Sequence, residues 1–407
     1  MRCIWRSFSI LYVFLYKCLC VILGLVFWQV LWYYKNKYIF LHMSFSILGE
    51  MLERGWFMMS LSKGTKCTDV IYGIDILEES LRNLDAELMN ILLLDRTTRK
   101  NILWATYDYI SLGIGFEVFS EITPDHITGR YATLIQPRTA KSKDAQADRT
   151  RDKAEVFTPL WICNKQNNLI DTQWFGRTDV FNVENGTSWV ASSETISFHG
   201  AKKGWKKYVD AQRLEVSCGE APYLVSRYDT VTGEKIPLHQ RIGLLDRKMR
   251  IVQENAETPE DWLTWAQRAF ESVYGFEYQG DNLLLARENL LYSYIEYYQA
   301  KFHQMPGIPL LRKIAHIISW NIWQMDGLKY VVPGSCKPDE NHQMILSDFM
   351  DLGGDAALAN TTSTCPGCAT GNIYRHTGNY CRIMDWRSKR SQTFISMMKG
   401  GRDNGRL

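Results

Sequence analysis

The sequence predicts an α/β fold, and three observations carry that expectation. Tyr274-Gly275-Phe276-Glu277-Tyr278 has the make-up of a short strand and turn, with an acid at its end. Thr258 to Tyr274 before it and Leu283 to Phe302 after it read as amphipathic helices. Leu214-Glu215-Val216-Ser217-Cys218-Gly219 repeats the theme: an apolar lead-in, an acid, then a tight turn. A strand ending in an acid and followed by a helix is the grammar of a nucleotide-binding sheet.

Composition agrees with such a domain. Apolar residues make up 46% of the 407 and charged residues 22%, which excludes a mainly disordered, collagen-like or polytopic membrane chain. The formal net charge is +3. Residues 1–57 hold six of the 47 Lys+Arg and two of the 44 acids, so the other 350 residues carry 41 bases and 42 acids. The bulk of the chain is therefore not a broadly basic surface, and any DNA affinity has to come from local strips.

Residues 1–57 form a hydrophobic leader or a single transmembrane anchor. Cys18 to Tyr34 is 17 uncharged residues, near the lower limit for a spanning helix. Basic residues flank it on both sides, and no Ala-x-Ala-like cleavage site follows. Three readings stand: an anchor, a buried hairpin, or a leader translated ahead of a start at Met58-Met59. The last is favoured, because the codons of Arg54-Gly55 can form a purine-rich ribosome-binding sequence. It makes the protein cytoplasmic, with a membrane partner only if residues 1–57 are part of it.

Residues 58–153 read as a helical N-terminal region and a basic linker. Ile74, Leu77, Leu81, Leu84, Leu88 and Ile91 recur at helical steps. Gly113 and Gly115 break the mixed apolar stretch from Ile102 to Phe119. Arg138, Lys141, Lys143, Arg149, Arg151 and Lys153 form a basic strip interleaved with aspartates, either solvated or in contact with phosphates. Thr258-Pro259-Glu260-Asp261 opens the next helix with a cap, a proline at the first helical position and an acid three residues on.

Glu215 to Leu224 resembles, over ten positions without a gap, the Asp-Pro-Ala-Cys-Gly-Ser-Gly-x-Phe-Leu strand end of the adenine-specific DNA methyltransferases of restriction–modification systems. Acid, Cys, Gly, aromatic and Leu agree. Val216, Ser217, Glu220 and Ala221 depart, the last replacing the second glycine. Upstream, Ala154-Glu155-Val156-Phe157-Thr158-Pro159 is similar to the family's Phe-Thr-Pro element. Downstream, Val273 to Glu277, Leu283 to Leu290 and Asn321 to Asp326 resemble its second strand, following helix and third strand. The resemblance implies a Rossmann-like S-adenosylmethionine-dependent methyltransferase core over residues 154–333. In that core Phe157, Thr158, Pro159 and Glu215 would hold the methionine part, Cys218 and Gly219 the loop, Glu277 the ribose and Asp326 the adenine. DNA would be the substrate, with an endonuclease or specificity subunit as partner.

The family also needs an Asn/Asp-Pro-Pro-Tyr/Phe loop to hold a flipped adenine. None of the eleven prolines here are adjacent. Asp385-Trp386 is the nearest substitute, a polar residue followed by an aromatic. Rival functions are a metal-dependent restriction endonuclease built on Asp229, Asp246 and Lys248, or a non-catalytic DNA-binding subunit.

Residues 334–407 are Cys-rich and zinc-knuckle-like. Cys365, Cys368, His376 and Cys381 follow a Cys-x2-Cys-x7-His-x4-Cys pattern that suits tetrahedral zinc, with Cys336 and His342 as alternative fourth ligands. Arg375, Arg382, Arg387, Lys389 and Arg390 make this segment basic and compatible with nucleic-acid contact.

Overall fold

The computed structural model describes residues 71–72, 75–141, 158–198, 204–338 and 365–400. Residues 1–57, Phe157, His342 and the basic strip beyond Lys141 lie outside them. The chain divides into two units, Met1–Thr68 with Lys399–Leu407, and Asp69–Met398. Everything below concerns the second unit.

Two short strands, β1 (Ile71–Tyr72) and β2 (Asp75–Ile76), pair antiparallel ahead of helices α1 (Glu78–Leu84) and α2 (Ala86–Leu93). The helix expected over Ile74 to Leu94 is thus split at Asp85. That residue turns extended at φ −167°, and its carboxylate accepts the Leu88 N–H at 2.8 Å. Aspartate prefers this capping position to a helix interior, so it ends one helix and starts the next. Residues 95–141 then run as turns and single 3₁₀ turns.

Helix α3 (Leu160–Phe175) leads into the antiparallel hairpin β3 (Asn182–Asn185) and β4 (Ser188–Ala191). A short α4 (Trp205–Val209) precedes β5 (Arg213–Val216). Then come α5 (Leu244–Asn255), α6 (Pro259–Glu271), β6 (Val273–Glu277), α7 (Gly280–Phe302), α8 (Ile308–Asn321) and β7 (Ile322–Gln324). Thr258 caps α6 as its pattern predicts, accepting the Asp261 N–H at 3.1 Å.

Strands β5, β6 and β7 form one parallel sheet in chain order, with β6 central. Its two faces alternate with a period of two, as a strand requires. Val273 and Ile322 face the main helical core. Tyr274, Phe276 and Trp323 face a second cluster with Cys381, Ile383 and Phe394. That second face is covered by the hairpin β8 (Arg382–Asp385) and β9 (Arg390–Thr393) and by α10 (Phe394–Gly400), which follow the short α9 (Pro366–Thr370).

The helix after β6 is not amphipathic. From Gly280 to Ile295 every residue is buried, because α7 packs against α2, α5, α8 and the sheet at once. Several of its polar side chains bond other parts of the interior. Arg287 donates to the carbonyls of Ile322, Leu94, Ser319 and Leu92, and burial lowers its guanidinium to about 9. Among the described residues no helix is long and apolar enough to cross a membrane.

Candidate functional site

The carboxyl ends of β5 and β6 carry the residues that the sequence singles out. After Val216 the chain turns through Ser217 (φ +50°), Gly219 (φ +54°) and Ala221 (φ +64°). The Ala221 backbone takes the left-handed conformation that favours glycine. The Gly219 N–H donates to Glu277 Oε2 at 2.8 Å, so the loop after β5 is fastened to the acid that ends β6. Glu277 Oε1 accepts the N–H groups of Tyr278 and Gln279 at 2.9 and 3.2 Å. Burial pushes the Glu277 carboxyl above its ordinary value, against these three backbone bonds. Buried Glu215 accepts the Tyr223 N–H, and the Cys218 N–H donates to the Phe276 carbonyl at 2.9 Å.

Thr158 and Pro159 stand beside this loop. Pro159 caps α3, whose Leu160 and Cys163 pack with Tyr223 and Ile242. The Thr158 carbonyl accepts the Thr230 hydroxyl at 3.3 Å. Asp326 follows β7 at the same end of the sheet. Its Oδ1 accepts the N–H groups of Leu328 and Lys329, and its Oδ2 pairs with Lys329 Nζ at 3.1 Å. These three contacts shape the turn after β7.

A strap over this edge is missing from the sequence reading. The segment from Asn101 to Lys141 lies across the carboxyl ends of β6 and β7. Gln324 exchanges two hydrogen bonds with the Leu103 backbone, and the Gly280 N–H donates to the Trp104 carbonyl. A Cβ at Gly280 would sit 2.0 Å from the Leu103 carbonyl oxygen, so only glycine allows the approach. Tyr109 donates to Asp281 Oδ2 at 2.8 Å, and Lys141 Nζ is 3.8 Å from the same oxygen. The Arg138 N–H and the Tyr228 hydroxyl both donate to Glu220. The one signal in the sequence is the pair of breakers Gly113 and Gly115, which marks a loop but not its destination.

Two expectations are corrected by placement. Asp385 and Trp386 are at the opposite end of the sheet. The Tyr274 hydroxyl donates to the Met384 carbonyl, Trp386 Nε1 to Asn321 Oδ1, and Arg387 to Asp210, all beside the amino ends of the strands. From there to Glu277 is on the order of 10 Å along β6. Asp385 instead accepts the Arg387 N–H at 3.0 Å and shapes the hairpin turn. A hydrogen bond from Ser388 holds its carboxyl below the ordinary value. The nuclease triplet is likewise dispersed. Asp246 accepts from Ser226 and Tyr297, Lys248 donates to Val209, Ala211 and Ser272, and Asp229 accepts from Val231 and Thr232. Residues two apart on a helix point to different sides, which keeps Asp246 and Lys248 from converging.

The cysteine cluster does assemble, with one exchange of ligand. Cys336, Cys365, Cys368 and His376 place their ligand atoms within 4.8 Å of one another. The three sulfurs lie 3.6, 3.6 and 3.7 Å from His376 Nδ1. Tetrahedral zinc, with Zn–S about 2.3 Å and Zn–N about 2.0–2.1 Å, requires S···N of about 3.5–3.6 Å. Gly367 between the two cysteines has no room for a side chain, since a Cβ would lie 2.6 Å from both His376 N and Nδ1. The Thr377 N–H donates to Cys365 Sγ at 3.2 Å, a second layer of support typical of such sites. Burial pushes the Cys365 thiol up, but the bonds from Thr377 and His376 outweigh it and hold it at about 5.

Cys381 is not a ligand. It is fully buried on the sheet face, and its thiol donates to the Gln324 carbonyl at 3.2 Å. Cys336 takes its place, brought to the knuckle because the Lys337 N–H and Thr377 hydroxyl bond each other's segments.

No protein-family model matches the chain, no curated protein matches it and no solved structure matches it. What the fold and site define is a mixed α/β protein with a parallel sheet and a Cys3His cluster able to hold zinc.

Proposed function

We propose that this chain is a cofactor-binding subunit of a DNA adenine methylation system, taking S-adenosylmethionine at the carboxyl ends of β5 and β6. The observation that carries the reading is the Gly219-to-Glu277 hydrogen bond between adjacent parallel strands. It fastens the loop after the strand of Glu215 onto Glu277, and these are the acids that the ligand's ammonium and ribose would need.

The donor set suits the ligand in part. Glu277 keeps lone pairs beyond its three backbone bonds, so it can accept ribose hydroxyls. Buried Glu215 offers the negative charge for an ammonium. Asp326 would face the adenine at the same end of the sheet, where its present partners are its own turn and Lys329. The cofactor supplies the methyl group when bound. This chain's residues bind and orient it but bring no Asn/Asp-Pro-Pro loop to a target base. Transfer therefore depends on a loop from elsewhere.

Calorimetric titration with S-adenosylmethionine tests the reading. Wild type is expected to bind and Glu215→Ala to bind about tenfold more weakly, the loss of one charge-assisted bond. Labelled methyl transfer to DNA is expected only when a second subunit is added. Wild type that takes up no cofactor would overturn the proposal.

A further inference from the structure

We propose that the cleft between the Thr97–Lys100 turn and the Gly378–Arg382 segment seats the phosphodiester backbone of a nucleic acid. The cleft has a volume of ≈ 620 Å³ and is walled by Thr97, Thr98, Lys100, Asn379, Tyr380 and Arg382, closed by Gly378 and Thr393. Two of its wall residues are cations and none is an acid. Hydroxyl, amide, ammonium and guanidinium groups are the inventory that contacts phosphate and sugar oxygens.

The donors remain usable. Arg382 commits Nη2 to Ser391, and among the described residues its Nε and Nη1 have no partner. Lys100 Nζ is 3.6 Å from Glu121, but both side chains are exposed, so the pair is weak and exchangeable. The Thr97 hydroxyl accepts the Arg382 N–H and still has its own proton to donate. That bond also ties the two walls together. The metal cluster sets the second wall: a Cβ at Gly378 would meet Ser335 at 2.6 Å and Cys336 at 3.1 Å, so the 378–382 segment lies directly on a ligand. Exposed Lys337 and Arg375 extend the positive rim along the knuckle.

An open cleft with donors on two separate segments fits an extended polyanion better than one compact anion. The inference rests on the reading above only for DNA as first probe; cofactor binding is measured on the same variants, so failure of one does not disguise failure of the other.

The test is fluorescence anisotropy of the full chain with labelled duplex DNA, single-stranded DNA and RNA across a salt series. Lys100→Glu and Arg382→Gln are each expected to weaken binding about tenfold and to reduce the salt slope by about 0.9, one phosphate contact each. Lys165→Glu, an exposed control on α3, should leave both unchanged, and cofactor affinity should be unaffected by all three. Lys100 sits on the surface, so its variant keeps the test valid even if Arg382→Gln unfolds. The strongest of the three probes identifies the natural backbone. Equal effects of Lys100→Glu and Lys165→Glu would overturn the site, as would binding of none of the probes. Displacement by millimolar inorganic phosphate would also overturn it, in favour of a small-anion pocket.

Discussion

Ser217 and Ala221 hold left-handed backbone that side chains pay to adopt, and they differ in what surrounds them. A non-glycine residue there costs about 1–2 kcal/mol. Ser217 is exposed, so its side chain gains no burial in return. Ser217→Gly is therefore expected to stabilise by about 1 kcal/mol, less the small entropy cost of glycine in the unfolded chain. Ser217→Val should destabilise in the same urea titration. Ala221 is fully buried. Removing its methyl forfeits about 0.8 kcal/mol, so Ala221→Gly should be near neutral. A destabilised Ser217→Gly would mean that the loop does not need this turn. At this scale the sequence was informative where a short motif spans one turn: Glu215 stands at the end of β5 and Cys218 and Gly219 form the tight turn after it, as their order implies. It marked Ala221 as standing where the motif has a glycine, but only the backbone angle, φ +64°, shows that the left-handed conformation is adopted.

Elements explain the ligand that the spacing misassigned. Cys381 is in register with β8 and alternates inward, onto Trp323 and Phe394. Cys336 precedes the knuckle by 29 residues, a separation that carries no ligand pattern. Cys336→Ser is expected to abolish tight zinc binding, and Cys381→Ser to retain one zinc per chain, by elemental analysis after gel filtration. Gly367→Ala should behave as Cys336→Ser, because the clash is with His376 backbone as well as its ring, and backbone cannot swing aside. Zinc retained by Cys336→Ser and lost by Cys381→Ser would restore the fourth ligand that spacing predicts. The same scale accounts for the helix reading. Periodicity found α6 and its cap, since both are local. It could not foresee the break at Asp85, where Arg312 of α8 pairs with the capping carboxylate, nor the all-round burial of α7.

Across the whole molecule, charged residues tie distant segments together, and they set how it responds to pH and to metal loss. Glu296 on α7 accepts from Arg227 and Arg241, whose side chains are only 4% and 5% exposed. Burial pushes its carboxyl up, but the two arginines outweigh this and hold it below 4.5. A depressed folded value means that this stability is present above pH 4.5 and is lost as the pH falls through the folded value. Glu296→Gln strands two buried guanidinium groups and should cost about 3 kcal/mol at neutral pH. The gap to wild type should narrow below about pH 4 in acid-unfolding curves; a gap constant with pH would refute the ion-pair account. The cysteine cluster acts on a different part. A metal there closes the loop from Cys336 to Cys365, and a cross-link of that size restricts the unfolded chain by about 3–4 kcal/mol. It anchors the segment that leads into β8, and through Ile383 and Phe394 the smaller of the two sheet-face clusters. The helical core around α7 makes no use of it. Chelation should therefore release one part of the molecule before the rest. Hydrogen exchange after chelation is expected to rise at His376 to Thr393 and to stay slow over Leu283 to Ile295. Uniform loss of protection would show that the metal holds the whole unit together; no change would show that the cluster is dispensable to the fold.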